Sequence, residues 1–254
     1  MIEYIKYRVY REYREYREYR MYYNDGYLEI IIGTMFSGKT SYLLHKISQM
    51  IELDLRVLYI NIDLDNRSEK NYSTHNVFLD ITDCKKKDKI EKNLTMIKVG
   101  NLMNVLPETF LEYDVIMIDE AHFFKELVLF TKILLENKKN IFICSLIADY
   151  MGNKFGNALE LIPICNNIVK LDSYCVECSK KKIYNKAVFS KKIPGKGGAT
   201  GLVDIGGADK YIPVCREHFG DMPKKQQVSN LNKIVICSKS KLPIYDQQFI
   251  NSDL

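Results

Sequence analysis

Short apolar runs alternate with amphipathic stretches along residues 27–171. The run at 27–32 reads as a buried strand that ends in Gly33, and similar runs follow at 57–62, 115–119 and 141–146. Between them, residues 40–53 and 125–137 carry apolar side chains at helical spacing. Near-continuous apolar strands separated by helices are typical of a parallel sheet covered on both faces. The pattern therefore predicts a doubly wound α/β domain.

The segments on either side of this domain differ from it in composition. Residues 10–20 repeat the triplet Tyr-Arg-Glu, and a three-residue period carries the tyrosines around a helix without forming an apolar face. Because basic and acidic side chains nearly cancel in residues 1–26, we interpret that stretch as a low-complexity extension rather than an arm for nucleic acid or membranes. Residues 172–219, rich in cysteine, lysine and glycine, predict a second small unit, and residues 220–254 predict a polar tail.

Composition narrows the class of protein. The 254-residue chain is 46% hydrophobic and 27% charged, which suits one folded α/β domain with an appendage. Its net charge of +5 is mild and dispersed, so charge alone gives no support to nucleic-acid binding. No uncharged apolar run reaches about 18 residues and no signal sequence is recognisable, which predicts a cytoplasmic protein without a membrane span. The seven cysteines do not form a secreted framework, because only Cys175, Cys178 and Cys215 cluster.

A phosphate-binding loop lies between the first predicted strand and the first predicted helix. In such loops the backbone N–H groups point at phosphate oxygens, the lysine reaches the terminal phosphates and the final hydroxyl ligates Mg²⁺. The strand and helix that this motif requires are both predicted here, so the sequence indicates a nucleotide site. The residues that fit G-x-x-x-x-G-K-[S/T] are Gly33, Thr34, Met35, Phe36, Ser37, Gly38, Lys39 and Thr40.

Acidic residues at the end of the run 115–119 supply the second half of such a site. Asp119 is predicted to hold the magnesium shell, directly or through water, and Glu120 to be the base that polarises an attacking hydroxyl or water. Residues 119–122 also spell D-E-A-H, the motif of a helicase class. Those helicases couple two RecA-like lobes, and only about a hundred residues follow the first lobe here, so that interpretation is not adopted. We interpret His122 as a polar group beside the phosphates or substrate and not as a metal ligand.

Two pairs of potential metal ligands lie in the second unit. Cys175-x-x-Cys178 and Cys215-x-x-His218 are separated by 36 residues, as in the two knuckles of a zinc ribbon. A single C-x-x-C could also be a redox dithiol, but the second pair favours one closed structural Zn²⁺ site. Such a site would fix the ends of the glycine-rich stretch 193–210, which is too small to build a core of its own.

Three motifs together resemble the zinc-containing, P-loop type of the thymidine kinase family. They are Met35-Phe36 within the P-loop, D-E-A-H-F-F at 119–124, and I-G-G-A-D-K-Y at 205–211 running into the C-x-x-H pair. The resemblance spans about residues 27–219 and implies a RecA-like P-loop sheet flanked by helices, plus a small zinc-ribbon and lasso domain. It also implies transfer of the ATP γ-phosphate to the 5′-hydroxyl of thymidine or deoxyuridine, with Mg²⁺, to give dTMP and ADP in deoxynucleotide salvage for DNA synthesis. A homotetramer is implied as well.

The resemblance assigns roles to individual residues. It places the phosphates on 33–40, the magnesium shell on Asp119 and the general base for the 5′-hydroxyl on Glu120, and it groups Asp65, Arg67 and His122 with the nucleotide site. Arg67 would neutralise the transferring charge. A loop from Ser190 to Tyr211 would close over the base. The residues implied to contact the nucleoside are Met35, Phe123, Leu146, Tyr150, Leu202, Val203, Asp204, Ile205, Gly206 and Tyr211.

The chain departs from the family pattern at several positions. At 145–156 it reads S-L-I-A-D-Y-M-G-N-K-F-G, so that Ile147 replaces an acid, Ala148 replaces a glycine and an arginine is lost. Phe155 and Gly156 restore the pattern, and a helix is predicted over 157–165. His122 stands where glutamine is usual, and the loop after 190 is longer and carries extra glycines.

An alternative from another class is a P-loop protein that binds ATP without phosphorylating a nucleoside. It would act in regulation, or would bind nucleic acid through the zinc ribbon. The intact lysine and threonine of the P-loop and the intact acidic pair at 119–120 favour the kinase instead.

Overall fold

A parallel six-stranded sheet dominates the computed structural model, which describes residues 25–63, 84–193 and 210–220. The strand order is β3-β2-β4-β5-β1-β6, and every neighbouring pair is parallel. The strands are β1 (Tyr27–Gly33), β2 (Val57–Ile62), β3 (Leu94–Val99), β4 (Val115–Ile118), β5 (Asn140–Leu146) and β6 (Asn167–Leu171).

Helices cover both faces of this sheet. Those within its connections are α1 (Lys39–Glu52), α2 (Cys84–Asn93), α3 (Pro107–Leu111) and α4 (Leu127–Glu136), with short 3-10 helices at Leu102–Asn104, Ala121–Phe123 and Ala158–Ile164. Alternate residues of each strand point to opposite faces, so Ile31 packs with α1 in one apolar core while Ile30 and Ile32 pack with α4 in another. The predicted α/β class with its parallel sheet is confirmed.

The strands and helices predicted from the apolar runs are β1, β2, β4, β5, α1 and α4. The remaining strands, β3 and β6, lie at the two edges of the sheet, where partial exposure allows polar residues such as Lys98 and Lys170 to interrupt the apolar pattern. The predicted helix over 157–165 is wrong in type, since Ala158–Ile164 is a 3-10 helix with Pro163 inside it. Proline has no N–H to donate and clashes with the preceding α-helical turn.

A smaller unit follows the sheet. It contains two antiparallel strand pairs, β7 (Ser173–Tyr174) with β8 (Lys186–Ala187) and β9 (Phe189–Lys192) with β10 (Tyr211–Val214). Two short helices, α5 (Val176–Lys180) and α6 (Arg216–Phe219), complete it. Its core is a separate apolar cluster in which the rings of Phe189 and Phe219 stack with centroids 4.1 Å apart. Within the described ranges, no helix has the length and apolar character needed to cross a membrane.

Candidate active site and metal centre

The P-loop joins the carboxyl end of β1 to the first turn of α1. A Cβ atom at Gly33 would lie 2.4 Å from Ser37 Oγ and 2.6 Å from the carbonyl oxygen of Leu171, so only glycine fits there. Gly38 has φ of 84°, a left-handed conformation that glycine adopts without strain. The Lys39 ammonium group donates to the Thr34 carbonyl oxygen at 2.8 Å. The side chain of Lys39 at the start of α1 therefore reaches back to the beginning of the loop.

Asp119, the first residue after β4, meets the P-loop. Its Oδ2 accepts hydrogen bonds from Thr40 Oγ1 at 2.9 Å and from the Tyr59 hydroxyl at 2.7 Å, and its Oδ1 accepts from the Glu120 backbone N–H at 2.9 Å. The structure thus brings together the hydroxyl and the carboxylate that the sequence predicts to serve one Mg²⁺. Oxygen atoms of this kind are the ligands that Mg²⁺ prefers, so the pair fits the ion.

Burial sets the ionisation of this carboxylate. Removal from water, followed by the neighbouring Glu120 charge, raises the pKa of Asp119 to about 6, although the hydrogen bonds from Tyr59, Thr40 and the Glu120 backbone act in the opposite direction. Burial and the Asp119 charge in turn raise the pKa of Tyr59, which keeps that hydroxyl protonated as a donor. A cation at this carboxylate would favour its ionised form.

Tyr59 is a site residue that the sequence reasoning missed. It lies in β2 among apolar side chains and is fully buried. A buried tyrosine hydroxyl needs a hydrogen-bond partner, and that requirement was the only signal available in the sequence.

Glu120 and His122 lie directly beyond Asp119. Glu120 has φ of 50°, an uncommon left-handed conformation for a residue other than glycine, and such strain is often found at functional sites. Its Oε2 lies 3.6 Å from His122 Nε2. The imidazole packs against the rings of Phe123 and Phe155, with centroid distances of 4.2 and 4.6 Å, and these two rings also contact each other edge-on at 5.7 Å. His122 Nδ1 accepts a hydrogen bond from the Leu146 N–H at 3.3 Å.

The segment 147–156, where the chain departs from the family pattern that it resembles, forms a turn. The Asp149 carboxylate accepts backbone N–H bonds from Met151 and Asn153, each at 2.9 Å. Gly156 has φ of 67°, and a Cβ atom there would lie 2.5 Å from the His122 carbonyl oxygen. The Asp149 carboxylate therefore stabilises the turn. Gly156 allows the turn to lie close to the backbone of His122.

Tyr150, at this turn, lies against the second unit. Its ring centroid is 6.4 Å from that of Tyr211, and the Lys192 ammonium group is 5.5 Å from the Tyr150 centroid. The structure thus brings together two of the residues expected to contact the nucleoside. Other predicted site residues, namely Asp65, Arg67, Leu202, Val203, Asp204, Ile205 and Gly206, fall outside the described residues.

The four predicted metal ligands converge in the small unit. Each pair joins the end of a short strand to the first turn of a short helix, so that one potential ligand atom from each of the four residues lies within 4.8 Å of the others. His218 Nδ1 is 3.6, 3.4 and 3.2 Å from the sulfurs of Cys175, Cys178 and Cys215. The Cys178 and Cys215 sulfurs are 3.8 Å apart. Tetrahedral Zn–S bonds of about 2.3 Å require sulfurs about 3.8 Å apart, so the cluster fits Zn²⁺.

Asn185 supports this cluster, and sequence reasoning did not identify it. Its side-chain N–H donates to Cys178 Sγ at 3.4 Å. Outer hydrogen bonds of this kind orient ligating atoms. The nearby Lys191 ammonium group donates to the His218 carbonyl oxygen at 2.8 Å, which ties β9 to the ligand helix.

Two hydrogen bonds that involve serine hydroxyls connect the metal unit to the P-loop. The Thr34 and Ser173 hydroxyls are 2.7 Å apart, and the Met35 N–H donates to Ser190 Oγ at 2.9 Å. Neither serine was singled out from sequence, since an isolated serine in a short strand carries no distinctive pattern. Met35, expected at the nucleoside site, is thereby fixed beside β9.

Comparison with known proteins gives a consistent result. A family model described as "Thymidine kinase" matches residues 26–219. A protein named "Thymidine kinase" from Amsacta moorei entomopoxvirus is 35% identical over 192 residues, which cover 74% of this chain and 95% of that protein. Proteins of the same name from Monkeypox virus and from Vaccinia virus (strain Western Reserve) are 31% and 30% identical over 198 residues, covering 78% of this chain and 99% of each relative.

Among solved structures, the flagellar accessory protein FlaH from Methanocaldococcus jannaschii aligns with 48% of this chain and 62% of its own. The TM-score is 0.34 at 21% sequence identity. Nothing about this chain is inferred from so low a likeness.

Proposed function

The chain belongs to the thymidine kinase family of phosphotransferases, and we propose that it transfers the γ-phosphate of ATP to the 5′-hydroxyl of thymidine, or of deoxyuridine, giving dTMP and ADP. The observation that carries the proposal is the meeting of Thr40 with Asp119 at the mouth of the P-loop, with Glu120 next in the chain. This arrangement brings groups that can bind phosphate, bind a metal ion and accept a proton to the carboxyl ends of β1 and β4.

In the proposed reaction the backbone N–H groups of the P-loop hold the phosphates of ATP, and Lys39 moves from the Thr34 carbonyl to the terminal phosphates. Thr40 and Asp119 hold Mg²⁺, which when bound neutralises charge on the phosphate oxygens. Glu120 accepts the proton of the 5′-hydroxyl as that oxygen bonds to the γ-phosphorus. The bond between the γ-phosphorus and the bridging oxygen breaks, and ADP leaves with its electron pair.

The nucleoside is proposed to bind between the turn at 147–156 and the loop that begins at β9 and ends at β10. Support comes from Met35, which is fixed to Ser190 of β9, and from Tyr150, which lies beside Tyr211 of β10. Leu146 and Phe123, both expected in this pocket, are joined to the same region through His122. Apolar and aromatic side chains around a few polar groups suit recognition of a pyrimidine base.

The wider features of the proposal rest on the family. The protein is proposed to act in deoxynucleotide salvage for DNA synthesis, to form a homotetramer and to be cytoplasmic. It is also proposed to consist of a P-loop domain over 27–171 and a zinc-binding domain over 172–219.

The proposed activity is tested with purified protein, Mg·ATP and each of the four deoxynucleosides of DNA, with deoxyuridine as a fifth acceptor. Monophosphate is expected from thymidine and deoxyuridine. ATP binding with no nucleoside monophosphate would contradict the proposal and would favour the regulatory or nucleic-acid-binding alternative.

Loss of the metal should affect one substrate more than the other. Cys178→Ser is expected to reduce the zinc content from one ion per chain to close to none, because thiolate ligation is lost. The KM for thymidine should then rise more than that for ATP, since β9 and β10 lead into the nucleoside loop while β1 and α1 hold the P-loop. Metal analysis and two substrate titrations measure this.

Cys165→Ser is the matched control, because Cys165 lies outside the cluster and its thiol donates to the Ile162 carbonyl oxygen at 3.2 Å. It should keep its zinc and both KM values. Native protein without zinc would overturn the metal assignment. Equal increases in both KM values for Cys178→Ser would indicate general unfolding.

A further inference from the structure

His122 is buried directly behind Glu120. Its side chain is 1% exposed, and the rings of Phe123 and Phe155 lie against it. Gly156 approaches its backbone so closely that even a methyl group would not fit. Burial and the two aromatic rings therefore restrict rotation of the imidazole.

The hydrogen bond to Leu146 defines which ring nitrogen carries the proton. The Leu146 N–H points at Nδ1, and a ring nitrogen can accept a hydrogen bond only if it has no proton of its own. The proton of the neutral ring is then on Nε2, the atom that lies 3.6 Å from Glu120 Oε2. The N–H dipole thus faces the carboxylate from a fixed direction.

A neutral donor suits a base better than a cation would. A full positive charge beside Glu120 would stabilise its ionised form and weaken it as a proton acceptor. The bond from Leu146 keeps the ring neutral, because a doubly protonated imidazole could not accept it. The contact can therefore orient the carboxylate without removing its basicity.

Glu120 needs such orientation because of its own backbone. With φ of 50° it leaves β4 in a left-handed conformation and begins the 3-10 helix Ala121–Phe123. Its side chain is 13% exposed, compared with 1% for that of His122, so it is the one of the two that a substrate can reach. A small displacement of a reacting group can cost about a hundredfold in rate.

From these observations we infer that His122 is a positioning residue, whose neutral Nε2–H fixes the Glu120 carboxylate for proton transfer. The inference rests on the proposed function, in which Glu120 is the base. His122 itself touches neither substrate nor metal in this assignment.

Two variants of His122 distinguish the contribution of Nδ1 from that of Nε2. The amide of His122→Asn can reach the Nδ1 position and accept from Leu146, but it is too short to bring an N–H to the Nε2 position beside Glu120. The longer His122→Gln can place an N–H near the Nε2 position. We expect His122→Asn to lower kcat about ten- to a hundredfold with KM for ATP and thymidine changed less than about twofold, and His122→Gln to lose no more than about threefold.

Equal losses in the two variants, or a change confined to KM, would show that the ring only fills space. A second comparison introduces His122→Asn into Glu120→Gln. If His122 acts through Glu120, the added substitution should leave the residual kcat unchanged, and a further drop of the same factor would overturn the inference. Full activity of Glu120→Gln alone would instead refute the proposed base.

The native protein gives a test that needs no folded variant. Nitrogen-15 NMR of the imidazole distinguishes the two neutral forms from the charged one. A protonated Nε2 with a bare Nδ1 at His122 near neutral pH is expected. A proton on Nδ1, alone or with one on Nε2, would overturn the inference.

Discussion

Glu120→Gln is expected to lower kcat for thymidine phosphorylation by roughly two to four orders of magnitude, the range for removal of a general base. The amide has the size of the carboxylate, so the position that follows β4 should keep its packing. It cannot take the proton of the 5′-hydroxyl. Binding of ATP should be nearly unchanged, because the phosphates are proposed to contact the P-loop and not this side chain. Steady-state kinetics and an ATP-binding titration measure both quantities.

Glu136→Gln is the control, since Glu136 is an exposed residue at the end of α4. It removes the same charge from the protein without touching the site. Normal turnover in Glu120→Gln would mean that another group accepts the proton and that Glu120 serves the backbone turn alone.

Lys39→Ala is expected to reduce kcat/KM by at least about a hundred- to a thousandfold, comparable to loss of one preorganised group that stabilises transition-state charge. Its ammonium group donates to the Thr34 carbonyl oxygen, which belongs to the same loop. Alanine also has the highest intrinsic helix propensity, so it should not disrupt α1. The variant should therefore fold while losing phosphate transfer, as read by its thermal unfolding midpoint beside its activity.

Lys46→Ala tests whether loss of any lysine from α1 has this effect. Lys46 lies two turns further along the helix, with its ammonium group 5.5 Å from the Tyr42 ring centroid and 5.7 Å from that of Phe142. It should keep turnover close to the native value. Near-normal turnover in Lys39→Ala would show that the loop does not act on the transferred phosphate.

The strands that the sequence predicts are those that are buried along nearly their whole length. Strands β1, β2, β4 and β5 are buried on both faces, so they appear as nearly continuous apolar runs. The edge strands β3 and β6 lack that signal because part of each faces solvent. A 3-10 helix with an internal proline carries nearly the apolar content of an α-helix, which explains the wrong type at 158–164.

Most of the site residues that the sequence did not predict have hydrogen-bond partners that are distant in the sequence. The motifs predicted that the Thr40 hydroxyl and Asp119 act together, because the spacing of a P-loop and the end of a neighbouring strand fix their positions. Tyr59, Ser173 and Ser190 gain their roles only when the chain folds, since their partners lie 60, 139 and 155 positions away. No local pattern in a single sequence records such pairings.

The acceptor oxygen is tested most directly by transfer of labelled phosphate from γ-labelled ATP to thymidine and to its two singly deoxygenated analogues. Label is expected on thymidine and on 3′-deoxythymidine, because each has the 5′-hydroxyl that Glu120 is proposed to deprotonate, and none is expected on 5′-deoxythymidine. Label on 5′-deoxythymidine, or no label on thymidine, would contradict transfer to the 5′-hydroxyl.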